Sequence, residues 1–145
     1  MPGIKNDTQE TIAIKIIQLK QINTQRKCLL LDCEIEGLRT VDHPNVVHIY
    51  SITQDANHIY IAMEYYPNGT LRDYIKKRST HLWIKECLPE REAIGLFQKI
   101  VEGYCEIAKN NFIHRDLKTE NILLKQNMDP VITDFGYCEK TKTQN

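Results

Sequence analysis

The chain has 145 residues, 41% of them hydrophobic, and 19 basic side chains balance 19 acidic ones. That length suits one ordinary domain or two very small lobes, and zero net charge lacks the basic excess of a nucleic-acid binder. No stretch reaches the length of a membrane span and the N-terminus lacks the apolar core of a signal peptide, so no membrane partner is expected.

The five cysteines, Cys28, Cys33, Cys87, Cys105 and Cys138, form no C-x-x-C pair, and an odd number argues against a disulfide framework. Reduced thiols fit a cytoplasmic or nuclear protein. The five histidines show no metal-ligand spacing, so no zinc site is expected.

The first ten residues read as polar and turn-like. Residues 11–17 are rich in β-branched side chains and predict a strand, with Ile12, Ile14 and Ile16 on one face and Ala13, Lys15 and Ile17 on the other. From about 24 to 41 the pattern turns helical: Leu31, Glu34, Leu38 and Val41 recur at steps of three and four. Glu34 is a carboxylate on an otherwise apolar stripe. The helix should stop at D-H-P-N, 42–45, because proline disfavours helix in the residue before it. Strands are expected over 46–53 and 58–65, joined by a turn at 54–57.

P-N-G at 67–69 is a break that reads as a hinge between lobes. A short helix is expected over 71–77 with Thr70 as its N-cap, then a loop over 79–88. A second helix starts near Pro89, with Ile94, Phe97, Val101, Tyr104 and Ala108 as its apolar stripe. Next comes I-H-R-D-L-K-T-E-N-I-L-L, 113–124, a dense polar run between apolar flanks. Short strands follow at 122–124 and 131–133, and the polar tail from Gly136 is expected to be mobile.

Asp116, Asn121 and Asp134 carry hard oxygen ligands of the kind that hold magnesium beside phosphate oxygens. Lys118 adds a compact positive charge, and a carboxylate outside the metal shell can accept a hydroxyl proton. Such a kit suits phosphoryl transfer, where positioning and charge neutralisation supply most of the catalysis. Lys15 and Glu34 would each be costly to bury alone, and pairing satisfies both. Taken singly, Lys15 reads as an edge-strand lysine, Glu34 as a solvated helix charge and Asn121 as a turn cap. In conjunction they are specific: H-R-D-x-K-x-x-N is preceded by I-A-I-K and followed by D-F-G thirteen positions after Asn121.

On these motifs the chain resembles the eukaryotic protein kinase family, serine/threonine branch. The matching segments are I-A-I-K at 12–15, the helix with Glu34, H-P-N-V-V at 43–47, M-E-Y-Y at 63–66, H-R-D-L-K-T-E-N at 114–121 and D-F-G at 134–136. The resemblance implies an α+β, two-lobed kinase-like fold in truncated form: small lobe 1–66 and the start of a large lobe 67–145. It implies ATP and Mg2+ as cofactors and a protein with a Ser/Thr hydroxyl as substrate. Lys15 would bind the α- and β-phosphates and Glu34 would hold it. Asp116 would be the catalytic base and Lys118 would steady the γ-phosphate. Asn121 and Asp134 would hold magnesium. Met63 would be the gatekeeper, Glu64 and Tyr66 would offer backbone groups to adenine, and Ala13 and Leu123 would sandwich the ring. Leu38, Ile49, His114 and Phe135 would stack as a spine between the lobes. Arg115 resembles the arginine of kinases that respond to activation-loop phosphorylation.

The family's G-x-G-x-x-G loop would precede I-A-I-K, where Gly3 is the only glycine, and its A-P-E motif would follow D-F-G, after which nine residues remain. A partial kinase domain is therefore expected, with phosphoryl transfer as its activity. The alternative is a catalytically inactive fragment, acting as a binding module or surviving as a gene remnant.

Overall fold

The computed structural model describes residues 2–4, 10–82 and 87–141 and has an α+β architecture. Strands β1 (Pro2–Ile4), β2 (Thr11–Gln18), β3 (Ile49–Gln54) and β4 (His58–Glu64) form an antiparallel sheet in the order β1-β2-β4-β3. The isoleucine-rich run of β2 sits in the middle, paired with β1 on one side and β4 on the other. The first residues thus differ from the turn-like reading. Pro2–Ile4 adds to the edge of β2, and that pairing has no local signature in so short a segment.

Helix α1 (Gln25–Thr40) starts where the Thr24 hydroxyl accepts the Lys27 N–H at 3.3 Å. It buries Glu34, Gly37 and Leu38. Val46 and Val47, expected to open the next strand, lie before β3 and outside it. Asn45 and Val47 instead bond to Ile132: the Ile132 N–H donates to the Asn45 carbonyl and the Val47 N–H to the Ile132 carbonyl, both at 2.9 Å. The buried Asn45 side chain donates to the Pro130 carbonyl at 2.7 Å. H-P-N-V-V therefore ties the first half of the chain to the second.

Helix α2 (Leu71–Leu82) is capped by Thr70, whose hydroxyl accepts the Asp73 N–H at 3.1 Å. It runs past the expected end at 77 and removes the first part of the expected loop; residues 83–86 lie outside the described residues. The helix holds on to α3 (Glu90–Lys109): the Tyr74 hydroxyl donates to Glu92, and Arg78, just past the expected end, pairs with the same carboxylate. Such tertiary links override weak local propensity.

In α3 only Tyr104 of the expected stripe packs against the core, and the other four members are exposed. Ile94, Phe97 and Val101 are 50%, 65% and 41% exposed. Gly103 and Ile107 are buried instead, with Leu96 and Ile100 against the core. The helix has two apolar stripes at helical spacing, and periodicity alone does not rank them. Gly103 decides the outcome, because a Cβ there would stand 2.8 Å from the Asn45 carbonyl oxygen. The backbone of H-P-N-V-V lies against that bare surface.

Strand β5 (Phe112–Ile113) precedes the polar run, and a hairpin of β6 (Ile122–Leu124) and β7 (Pro130–Ile132) follows it. Phe112 is buried, whereas Ile113, expected as an apolar anchor, is 41% exposed. Strand β8 (Glu139–Lys140) pairs with β5, so residues 136–141 are built into the fold rather than forming a mobile tail. One hydrophobic cluster runs through Leu38, Val47, Ile61, Ile107, Leu124, Ile132 and Phe135. Among the described residues no helix is long and apolar enough to cross a membrane.

Candidate active site

Residues from β2, α1, the 114–121 loop and the segment after β7 converge on one cleft. A cavity of about 210 Å³ there is lined by Lys15, Glu34, Leu38, Val47, Met63, Thr133, Asp134 and Phe135. The Lys15 ammonium lies 2.5 Å from Glu34 Oε1 and 3.1 Å from Asp134 Oδ1. Burial pulls the Lys15 pKa down, but Glu34 and then Asp134 more than offset this and hold the ammonium above its ordinary value. One lysine thus joins strand, helix and the D-F-G segment across 119 positions of sequence.

Asp134 sits at φ +66°, in the left-handed region that few non-glycine residues adopt. Of the four non-glycine residues with positive φ among the described residues, Asp134 lines this cavity, while Arg115 immediately precedes Asp116 and lines a different one. Strained backbone of this kind concentrates at functional sites. Asp134 Oδ1 also accepts the Gly136 N–H at 3.4 Å. Phe135 turns into the core and is fully buried.

The polar run is held from within. The His114 ring lies edge-on to Phe135 at 5.4 Å between centroids. Its Nε2 donates to the Thr133 carbonyl at 3.0 Å and its Nδ1 accepts the Asp116 N–H at 3.3 Å, so the two partners fix the Nε2–H tautomer. His114 is therefore a buried strut, not a site acid. Asp116 Oδ2 accepts from Lys118 Nζ at 2.7 Å and from Asn121 Nδ2 at 2.8 Å. The Lys118 hydrogen bond foremost, helped by Asn121, holds the Asp116 carboxyl below the usual carboxylate range. Lys118 in turn is raised by Asp116 first, and by Glu120 and Asp134 through space.

Two oxygens remain for a cation. Among the described residues no hydrogen bond engages Asn121 Oδ1 or Asp134 Oδ2. Among the described residues no buried side-chain polar atom lacks a partner, so Asn121 Oδ1 reaches accessible space although the residue is 7% exposed. One amide and one carboxylate oxygen fit a hard divalent cation that takes its other ligands from phosphate and water. Among the described residues no cluster of three or more His, Cys, Asp or Glu side chains forms a ready-made metal cage.

Met63 pairs with Ala13 across β2 and β4 and lines the cavity. Beyond β4, no backbone hydrogen bond engages Tyr65 or Tyr66 among the described residues. The buried Tyr66 ring is pinned instead through its hydroxyl, which donates to Glu64 at 3.2 Å and accepts the His48 N–H at 3.4 Å. Burial foremost raises the Tyr66 phenol well above its ordinary value. Leu123 is half-buried on β6, next to Thr70 by an isolated bridge. Arg115 donates to the Tyr137 carbonyl at 2.7 Å and to Glu139 at 2.5 Å, so its guanidinium already has a carboxylate partner in the segment after D-F-G.

Three participants were not singled out from sequence. Thr133 anchors His114 by its carbonyl and donates its N–H to the Asn121 carbonyl at 2.9 Å. The hydroxyl of Tyr66, a residue expected to act only through its backbone, bonds the Glu64 carboxylate and the His48 N–H. Gly37, one turn after Glu34, gives Phe135 its place: a Cβ there would stand 2.9 Å from the Phe135 Cδ1. An isolated glycine inside a helical pattern is the signal that marks Gly37.

A paired lysine and helix glutamate, a D-F-G aspartate and a loop that presents Asp, Lys and Asn to one cleft define a phosphoryl-transfer class of fold. The chain belongs to the protein kinase family: the family model for the protein kinase domain matches residues 1–145. It is 36% identical over 96% of its length to Fatty acyl-CoA synthetase and RNA processing-associated kinase 1 of Saccharomyces cerevisiae. It is 38% identical over 86% of its length to NUAK family SNF1-like kinase 1 of Homo sapiens, and 30% identical over 93% to Serine/threonine-protein kinase PLK4 of Drosophila grimshawi. The chain spans 15%, 18% and 17% of the length of these three relatives.

Proposed function

We propose that these residues are the nucleotide-binding and phosphoryl-transfer portion of an ATP-dependent protein serine/threonine kinase, moving the γ-phosphoryl group of Mg-ATP to a protein hydroxyl. The observation that carries this reading is the Lys15 ammonium shared by Glu34 and Asp134, beside an Asp116 carboxylate held by Lys118 and Asn121. Lys15 is the phosphate ligand and Glu34 its holder. Asp116 stays ionised and accepts a hydrogen bond from the substrate hydroxyl, orienting it and taking its proton. Lys118 offsets charge at the transferred group. Magnesium, held by Asn121 and Asp134, supplies charge neutralisation at the phosphates. Met63 closes the back of the adenine site, backbone groups of Glu64 and Tyr66 recognise its edge, and Ala13 and Leu123 pack on its faces. The site lies where a small lobe, 1–66, meets a larger one, 67–145. Balanced charge accords with a protein partner rather than nucleic acid, and five free cysteines accord with a cytoplasmic or nuclear setting.

Titration of Mg-ATP by calorimetry tests the reading. Binding is expected in the wild-type chain and at least ~10-fold weaker in Lys15→Met, about 1.4 kcal/mol. Equal affinity in the two proteins, or no binding in either, contradicts it.

A further inference from the structure

Cys33 lies on α1 beside Glu34, and Cys138 lies four positions after Asp134. Their sulfurs are 3.1 Å apart, with the Cys138 thiol donating to Cys33. The two are 105 positions apart in sequence, so the tertiary fold brings them together. A cavity of about 350 Å³ is lined by both cysteines together with Arg26, Arg115, Glu139 and Lys140. Cys138 is 1% exposed whereas Cys33 is only partly buried.

We propose that Cys33 and Cys138 form a redox-modification site, closed to a disulfide by a peroxide oxidant and reopened by a thiol. The Cys33 sulfur attacks one peroxide oxygen, the O–O bond breaks, and one water leaves with the sulfur as a sulfenic acid. The Cys138 sulfur then attacks the Cys33 sulfur, and the sulfenic oxygen departs as a second water. Two thiols lose two hydrogens in total and one peroxide becomes two waters.

The order follows from the site. Burial foremost holds the Cys138 thiol far above its ordinary value, so the more accessible Cys33 meets the oxidant first. Closure from 3.1 Å needs a shift of about 1 Å to reach the sulfur–sulfur bond length.

The bridge would couple two elements that the site needs together. The Lys140 ammonium already meets Glu36 of α1 at 2.5 Å, and Phe135 rests on Gly37. A covalent link at Cys33–Cys138 staples α1 to the segment after D-F-G with Glu34 still beside Lys15. Oxidation therefore fixes the paired arrangement rather than breaking it. The three other cysteines, Cys28, Cys87 and Cys105, are exposed.

The test reads the bond itself and so stands apart from phosphoryl transfer. Trypsin leaves Cys28 and Cys33 together in peptide 28–39 and Cys138 in peptide 126–140. In a Cys28→Ser protein treated with stoichiometric hydrogen peroxide, the two peptides are expected as one cross-linked species, lighter by two hydrogens and separated by dithiothreitol. Amide exchange in α1 is expected to slow several-fold on oxidation, and to stay unchanged in a Cys28→Ser, Cys33→Ser protein. Cross-links to Cys87 or Cys105 in place of Cys138, sulfinic acid at Cys33 with Cys138 still alkylated by iodoacetamide, or faster exchange in α1 after oxidation would each overturn the proposal.

Discussion

Gly37 of α1 lies directly against Phe135: a Cβ on the glycine would stand 2.9 Å from the ring. The helix that carries Glu34 and the segment that carries Asp134 therefore meet across a surface with no side chain to spare. Gly37→Ala gains about 1 kcal/mol of helix propensity but forces a fully buried ring to move, which typically costs 1–3 kcal/mol. A net loss of about 1 kcal/mol is expected in urea unfolding. Gly95 is the internal control, because its Cβ would meet nothing within 4 Å. Gly95→Ala should stabilise by about 1 kcal/mol. Equal gains at both positions would mean that Phe135 has room to yield.

Gly103→Ala is expected to cost more than Gly37→Ala. Here the obstacle is the Asn45 carbonyl, 2.8 Å from the added carbon, and backbone cannot rotate away as a side chain can. The Asn45 carbonyl also accepts the Ile132 N–H, so displacing it disturbs the tie between H-P-N-V-V and β7. A loss of about 2–3 kcal/mol by denaturant titration is expected. A loss below that of Gly37→Ala would contradict the close packing of α3 on Asn45.

Much of the site was readable because its chemistry restricts residue choice. Lys15 and Glu34 are in contact, as their pairing implied, whereas the hydrogen bonds of Asp116 with Lys118 and Asn121 were not foreseen from the motif. The errors fall where non-local contacts decide. The apolar stripe of Ile94, Phe97 and Val101 is as regular as the buried one, and only the bare backbone of Gly103 shows which side meets Asn45. The segment after Gly136 looks featureless, yet Arg115 holds Tyr137 and Glu139 while β8 pairs with β5. Those partners lie more than twenty residues away, beyond any local pattern.

Removing one member of the Lys15–Glu34 pair should expose its cost. Lys15→Met leaves the 7%-exposed Glu34 side chain without its ammonium, while the 36% exposure of Lys15 screens part of the interaction. A destabilisation of about 1–3 kcal/mol is expected. Because the Lys15 pKa is raised on folding, the pair stabilises fully below the ordinary value of 10.5 and is lost as pH rises through the folded value. Thermal melts across the alkaline range should show wild type and Lys15→Met converging only above that value. Convergence near neutral pH would contradict the pairing.

Asp116 carries the opposite sign. Its pKa is lowered on folding, so its interactions stabilise above the ordinary value of 3.8 and are lost as pH falls through the folded value. Carbon NMR of the Asp116 carboxyl should give a midpoint below that value, moving upward in Lys118→Met. A midpoint unchanged by Lys118→Met would show that the lysine does not hold the carboxylate.

Phosphoryl transfer itself tests the central reading most directly. With γ-labelled ATP, magnesium and a generic basic protein, label is expected on serine and threonine of the acceptor. It should fall by about 100-fold or more in Asp134→Ala, where an oxygen ligand for the metal and a partner of Lys15 are both removed. Transfer that persists undiminished in Asp134→Ala, or label that is absent with the wild-type chain, would contradict it.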